Sequence, residues 1–91
     1  MKIETAKTRI ANAVKREFPN ETQAVKDYIA NVVFLSFQCF ELNTSDRRAD
    51  GKPYTSTDNL KFAIETNLED VDTSLLLEEA RRETSKWNNS Y

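Results

Sequence analysis

The residues best suited to chemistry lie in one stretch, Asp46 to Thr57, with the sequence DRRADGKPYTST. Arginine guanidinium groups bind phosphate and carboxylate in a forked geometry, and a tyrosine ring can stack on a base. Arg47, Arg48, Lys52 and Tyr54 therefore form a candidate site for a protein partner or for an anionic ligand such as a nucleotide. The ordinary interpretation is a solvated loop, because mixed cations and acids are common on such loops.

The same stretch lies between two predicted helices, as the calcium loop of an EF-hand does. Asp46, Asp50 and Gly51 match the first, fifth and sixth positions of that pattern. Arg48 and Thr57 occupy the third and twelfth positions, where calcium needs an oxygen ligand and a closing bidentate glutamate. We therefore expect no calcium site in this loop.

The sequence lacks the residues from which common catalytic sites are built. It has no histidine, the commonest general base and metal ligand, and its one glycine cannot build a phosphate-binding or dinucleotide-binding loop. The one cysteine, Cys39, has no neighbouring charged residue that would activate its thiol. We expect a protein that is not an enzyme and that uses no metal and no cofactor.

Composition limits the class of protein further. A chain of 91 residues fits one domain, residues 1–91, and a net charge of −2 gives no overall attraction to nucleic acid. A single cysteine excludes an internal disulfide, and the first residues lack the apolar run of a signal peptide. We therefore expect a cytoplasmic protein without a membrane span, since the longest uncharged run is too short to cross a bilayer.

Helical spacing of apolar residues divides the first half of the chain into two segments. The first is predicted over 3–18 and ends before Pro19, because a residue before proline is driven out of the helical region. The second is predicted over about 20–43, with Asn20 and Gln23 at capping-box spacing. Its expected core face comprises Val25, Ile29, Val32, Val33, Phe37 and Phe40. A buried β-strand over 32–42 is the alternative, since valine, phenylalanine and cysteine suit strands.

Two further helices are predicted after the loop. The third starts near Thr55, with Asp58 three residues on in a capping box, and Phe62 is expected on its outer face. Its expected inner stripe is Leu60, Ala63, Ile64, Asn67 and Leu68. The fourth starts between Asp70 and Ser74 and runs to about Trp87. Together the segments predict an all-α, four-helix bundle-like domain around the central hydrophobic helix at about 20–43.

The central helix is apolar on almost every side, so we expect part of it to face a second copy of the chain. Asn31 and Gln38 are seven residues apart and fall on one side of the helix, beside Phe34, Leu35 and Leu42. These five residues form the predicted oligomer interface, because polar residues at one heptad position can fix the register of paired helices. The alternative is that they form the solvent-facing strip of a monomer.

A second candidate surface is acidic. Residues 65–79 carry six acidic residues and no basic residue, which suits a basic partner, although a solvated helix face is the more ordinary interpretation.

These features favour a small, oligomeric, non-catalytic protein that acts through protein–protein contacts as a regulator, adaptor or inhibitor. Compact chains without motifs are consistent with phage-type accessory or anti-defence proteins, by association alone. The alternative function is a module that binds a small anionic ligand, such as a nucleotide, through the 45–55 loop. Nucleic acid binding has little support in the charge distribution.

Overall fold

The computed structural model describes residues 1–88, which form four α-helices. The helices are α1 (Ile3–Glu17), α2 (Gln23–Leu42), α3 (Ser56–Ile64) and α4 (Ser74–Asn88), and α3 continues as a π-helical turn over Glu65–Glu69. Within the described residues the only extended pairing is an isolated bridge between Arg47 and Pro53. The predicted all-α, four-helix architecture is confirmed. None of the helices in residues 1–88 combines the length and apolar character needed to cross a membrane.

The central position of α2 is also confirmed, because α1, α3 and α4 all pack against it. Helical structure is continuous over residues 32–42, so the strand alternative for this segment is wrong. The buried face of α2 consists of Val25, Ile29, Val33 and Phe37, none more than 6% exposed. Their spacing of four residues places them along one line of the helix.

The start of α2 differs from the prediction. Asn20 lies in the turn that follows Pro19, where the N–H of Glu21 donates to the carbonyl oxygen of Phe18 at 3.3 Å. Thr22 is the N-cap, and its Oγ1 accepts a hydrogen bond from the N–H of Val25 at 3.2 Å. The predicted capping box at Asn20 is therefore wrong, because the proline turn occupies the residues it would need.

The first two helices pack in opposite directions. Lys7, in the first half of α1, has its Nζ 5.2 Å from the ring centre of Phe34 in the second half of α2. Near the other end, Lys15 of α1 lines a recess together with Gln23 of α2. The apolar residues at helical spacing within residues 3–18 form what we call the α1 stripe. This arrangement of the two helices buries the stripe except for its first residue, Ile3, which remains 58% exposed. The buried members are Ala6, Ile10, Ala13, Val14 and Phe18.

The capping box at the start of α3 is confirmed. Thr55 Oγ1 accepts a hydrogen bond from the N–H of Asp58 at 3.1 Å, and Asp58 Oδ2 accepts one from the N–H of Thr55 at 3.0 Å. Hydrogen bonds from the backbone and hydroxyl of Thr55 hold the pKa of the Asp58 carboxyl below its usual value. Asp58 therefore stabilises the fold above its unfolded-state pKa, and this contribution is lost as the pH falls through the folded-state pKa.

Replacing Thr55 with alanine should lower the free energy of unfolding by about 1 kcal/mol at pH 7, because the helix loses its N-terminal cap. The loss should become smaller as the pH falls through the folded-state pKa of Asp58, because protonation of Asp58 weakens the box in the parent protein. Urea unfolding at pH 7 and at a series of lower pH values measures it. Thr57→Ala, two residues on and exposed, is the matched control. Equal losses for both variants would contradict a capping role.

The π-helical turn after α3 changes which side chains face the core. The N–H of Asp70 donates to the carbonyl oxygen of Glu65 at 2.7 Å, five residues back rather than four. Leu68, five residues after the buried Ala63, is thereby brought into the core and is 3% exposed. Asn67, predicted on the inner stripe, is half-buried and donates through Nδ2 to the carbonyl oxygen of Ala63 at 2.8 Å.

Ion pairs between elements tie the ends of the helices together. Arg81 of α4 pairs with Glu21, in the segment before α2, and this carboxylate raises the pKa of Arg81. Arg16 of α1 contacts Glu69 of the π-helical turn, with 3.2 Å between Nη2 and Oε1. Both pairs are partly solvent-exposed, so each adds little to stability.

Candidate binding surfaces

The loop at residues 43–55 is a structured turn rather than an extended linker. The N–H of Arg48 donates to the carbonyl oxygen of Lys52 at 2.8 Å, and the N–H of Gly51 donates to the carbonyl oxygen of Arg48 at 2.9 Å. Gly51 has a φ of +81°, a backbone conformation that residues with a Cβ rarely adopt. Asp50 Oδ1 accepts from the N–H of Lys52 at 3.0 Å and completes the turn.

The cationic side chains of this loop contact different partners. Arg47 donates through Nη1 to the carbonyl oxygen of Thr44 at 2.8 Å, so its guanidinium folds back on the loop. Arg48 lies 3.7 Å from Asp50 and 4.0 Å from Asp58. Two carboxylates therefore flank the guanidinium of Arg48 and partly compensate its charge. Lys52 is exposed and takes part in the turn through its backbone.

Tyr54 belongs to an aromatic cluster with Phe40 and Phe62. The rings of Tyr54 and Phe62 meet edge to face with centres 5.1 Å apart, and those of Phe40 and Phe62 are 5.9 Å apart. The prediction that Phe62 points outward is therefore wrong, because the loop returns across it and half-buries the ring. Phe40, expected on the core face, is only half-buried, since it lies at the edge of the core in this cluster.

The opposite surface of α2 is open. Asn31, Leu35, Gln38 and Leu42 are all exposed and follow one another at spacings of four, three and four residues; we call them the outer stripe. Leu35 is 52% exposed and Leu42 is 82% exposed, values that are high for leucine on a central helix. Four of the five residues of the predicted interface thus lie on one accessible line.

Phe34, the fifth residue, lies beside the outer stripe and is half-buried. Its ring centre is 6.0 Å from that of Phe37, and Lys7 covers part of its face. The expectation that Phe34 stands apart from the core is wrong, because α1 packs along this side of α2. Only part of its ring is available to a partner.

A groove of about 500 Å³ between α1 and α2 was not foreseen from the sequence. It lies at the Leu42 end of the outer stripe, where Met1 and Ile3 of the α1 end are 47% and 58% exposed. The other lining residues are Phe34, Phe37, Gln38 and Glu41. Ile3, the first apolar residue of α1, is visible in the sequence as a candidate for such a groove. Only the antiparallel packing of α1 against α2 places Ile3 beside Leu42.

A second groove, of about 450 Å³, lies between α1 and α3. Its rim carries both signs of charge, because Arg9, Arg16 and Lys61 alternate with Glu65 and Glu69. Arg16 and Glu69 are 3.2 Å apart, and Lys61 and Glu65 are 3.8 Å apart. These internal pairs leave little unbalanced charge with which to select an ionic ligand.

The acidic segment at residues 65–79 is partly neutralised by the same pairs. Asp72 accepts a hydrogen bond from the N–H of Ser74 at 2.9 Å, and its hydrogen bonds from Ser74 hold the pKa of its carboxyl below the usual value. Partial burial, with a hydrogen bond to Glu79, raises the pKa of Tyr28. Four of the six acids, Glu65, Glu69, Asp72 and Glu79, therefore have partners within the fold.

The acidic groups of the calcium-like loop also have protein partners. Asp46 Oδ2 accepts from Nδ2 of Asn43 at 2.7 Å, and Asp50 accepts from the backbone of Lys52. Within the part of the chain that the structure describes, there is no cluster of three or more histidine, cysteine, aspartate or glutamate side chains that could hold a metal ion.

Two surfaces offer open binding area. One is the outer stripe of α2 with the groove at its Leu42 end, and the other is the turn that presents Arg47, Lys52 and Tyr54. Comparisons with protein-family models, with curated proteins and with solved structures found no match to this chain. The interpretation of both surfaces therefore depends on their own exposure, charge and contacts.

Proposed function

We propose that this protein is a non-catalytic, homodimeric binding domain that acts through protein–protein contacts, as a regulator, adaptor or inhibitor. The observation that supports this most directly is the outer stripe, in which Leu35 and Leu42 remain exposed on the most apolar helix of the chain. Covering such leucines removes apolar surface from water, which is the main driving force for association. The absence of histidine from the sequence supports a non-catalytic role.

The turn at residues 45–55 suits a role as the contact surface for a partner protein. Its backbone hydrogen bonds and the Tyr54–Phe62 contact hold the turn in place, so little ordering is needed on binding. Arginine and tyrosine are also enriched among the residues that dominate binding energy in protein interfaces.

The alternative, an anionic ligand at the same turn, has less support from the geometry. An incoming phosphate would have to compete with Asp50 and Asp58 for the guanidinium of Arg48. Arg47 is likewise engaged by the carbonyl oxygen of Thr44. Because acidic groups partly compensate the cations of this turn, a partner protein suits it better than a compact anion does. A protein surface can contact the carboxylates and the cations of the turn together.

Replacing both Leu35 and Leu42 with lysine should convert the dimer to a monomer, because the interface would lose its exposed leucines and would have to bring four like charges together. Light scattering should give twice the chain mass of 10.5 kDa for the parent protein and 10.5 kDa for the double variant. Both positions are exposed, so circular dichroism should show an unchanged helical spectrum.

Leu75→Lys is the matched control, since Leu75 is 79% exposed on α4, outside the outer stripe. This control should remain dimeric. A parent protein that is monomeric at micromolar concentration would contradict the proposal. A rise in melting temperature with ATP that Arg47→Ala removes would instead favour the anionic-ligand alternative.

A further inference from the structure

We infer that two copies of this chain pair through the outer stripe with their α2 helices parallel and in register, an inference that rests on the homodimer proposed above. The stripe alternates amide and leucine side chains, in the order Asn31, Leu35, Gln38, Leu42. Their spacing of four, three and four residues is that of the a and d positions of a heptad. A helix with this spacing presents all four side chains to one partner helix.

The alternation selects the direction of pairing. When two such helices run parallel and in register, each position meets its own copy, so leucine meets leucine and amide meets amide. An amide side chain has both donors and an acceptor, so it can hydrogen-bond its copy. When the helices run antiparallel, a positions meet d positions, and each amide meets a leucine. The buried amides would then lack partners, which is unfavourable.

The charges on α2 permit a parallel pair. Residues 28–40 carry no charge, so a two-fold axis along the stripe brings no like charges together there. Glu41, at the edge of the stripe, accepts a hydrogen bond from Nδ2 of Asn59 at 2.9 Å and is held toward α3. A second copy is therefore a better occupant than a charged partner segment, for which the stripe offers no complementary charge.

The stripe alone is narrow for a stable interface, which covers about a tenth of the surface of a small protein. Met1 and Ile3 extend the apolar area at its Leu42 end, and the exposed part of Phe34 extends it along its side. In the parallel arrangement the groove at the Leu42 end of one copy lies at the same end of the dimer as the groove of the other copy. The exposed α1 ends of both copies can therefore add apolar area to one interface.

Cysteine cross-linking distinguishes the two directions. Cys39 is replaced by serine, and one cysteine is introduced at either end of the stripe, as Asn31→Cys or as Leu42→Cys. Both positions are exposed, so neither change should disturb the fold. A disulfide requires Cα atoms within about 7 Å, whereas residues 31 and 42 are about 16 Å apart along the helix. Copper phenanthroline with dissolved oxygen serves as the oxidant.

We expect each single-cysteine variant to form a covalent dimer on its own, as the main band of a non-reducing gel. Mixing the two variants should add no cross-link between them. Lys61→Cys in the same background is the control, because Lys61 is exposed on α3, outside the stripe, and should not cross-link.

Cross-linking only in the mixture would establish an antiparallel pair and overturn the inference, while leaving the dimer intact. Cross-linking of one variant but not the other, or of neither in a protein of dimeric mass, would also overturn it. A monomeric mass for the Cys39→Ser parent by light scattering would instead overturn the proposed homodimer itself.

Discussion

Replacing Phe37 with alanine should lower the free energy of unfolding by about 3–5 kcal/mol, because the substitution empties an aromatic site in the core. Phe37 is 6% exposed at the end of the buried face of α2, and its ring lies against Phe34. Removing the ring loses this contact and leaves a cavity that the neighbouring helices can fill only in part. Small domains are stable by about 5–15 kcal/mol, so the variant would lose a large share of its stability.

Urea unfolding followed by circular dichroism measures this effect. Leu75→Ala is the matched control, because Leu75 is 79% exposed and its truncation should change stability by no more than about 0.5 kcal/mol. A Phe37→Ala variant as stable as this control would mean that the ring is not part of the core, and that α2 is rotated about its axis.

Replacing Asn59 with aspartate should lower the free energy of unfolding by at least about 1.5–3 kcal/mol, the contribution of a hydrogen bond to a charged group. Asn59 is 6% exposed and is the one buried polar side chain among the described residues. Its Nδ2 donates to Oε2 of Glu41 at 2.9 Å and joins α3 to the end of α2. The substitution replaces this donor with a second carboxylate, so attraction becomes repulsion at short range.

The predicted loss depends on pH. Repulsion from Glu41 should raise the pKa of the introduced carboxyl above its unfolded value, so the variant is most stable where that carboxyl is protonated. Its stability relative to the parent should therefore fall as the pH rises from about 4 to 7. Adding Glu41→Gln exchanges the carboxylate and the amide and should recover most of the loss. Urea unfolding that shows neither pH dependence nor recovery would contradict this account of the Asn59–Glu41 contact.

The helices themselves were predictable because the signals that specify them are local. Apolar spacing located all four, and the capping box of Thr55 and Asp58 was identified from two residues three positions apart. The start of α2 was misplaced by a similar signal, since Asn20 and Gln23 have the right types and spacing. The turn at Pro19 takes Asn20 out of reach, and Thr22 caps the helix instead.

The candidate binding residues were predicted in part. The loop cations and the outer stripe are visible in the sequence because they depend on residue type and helical spacing. The sequence does not show that Arg48 lies beside Asp58, nor that a groove lies beside Met1 and Ile3. Both features require contacts between segments that are distant in the chain. Asp58 belongs to a helix cap, and only the folded turn brings Arg48 to it.

The sequence by itself determined that the chain forms four helices and that α2 is the most apolar of them. It also indicated the buried face of α2, which contains Val25, Ile29, Val33 and Phe37 as expected. It could not determine how far the flanks of that face are covered, because a helix that is apolar almost all round has no strong periodicity. Packing of α1 half-buries Phe34, and the returning loop half-buries Phe62 against Phe40. The π-helical turn brings Leu68 rather than Asn67 into the core. Only the tertiary structure decided how much of Leu35 and Leu42 stays open, because three short helices enclose a central helix on some sides and not on all.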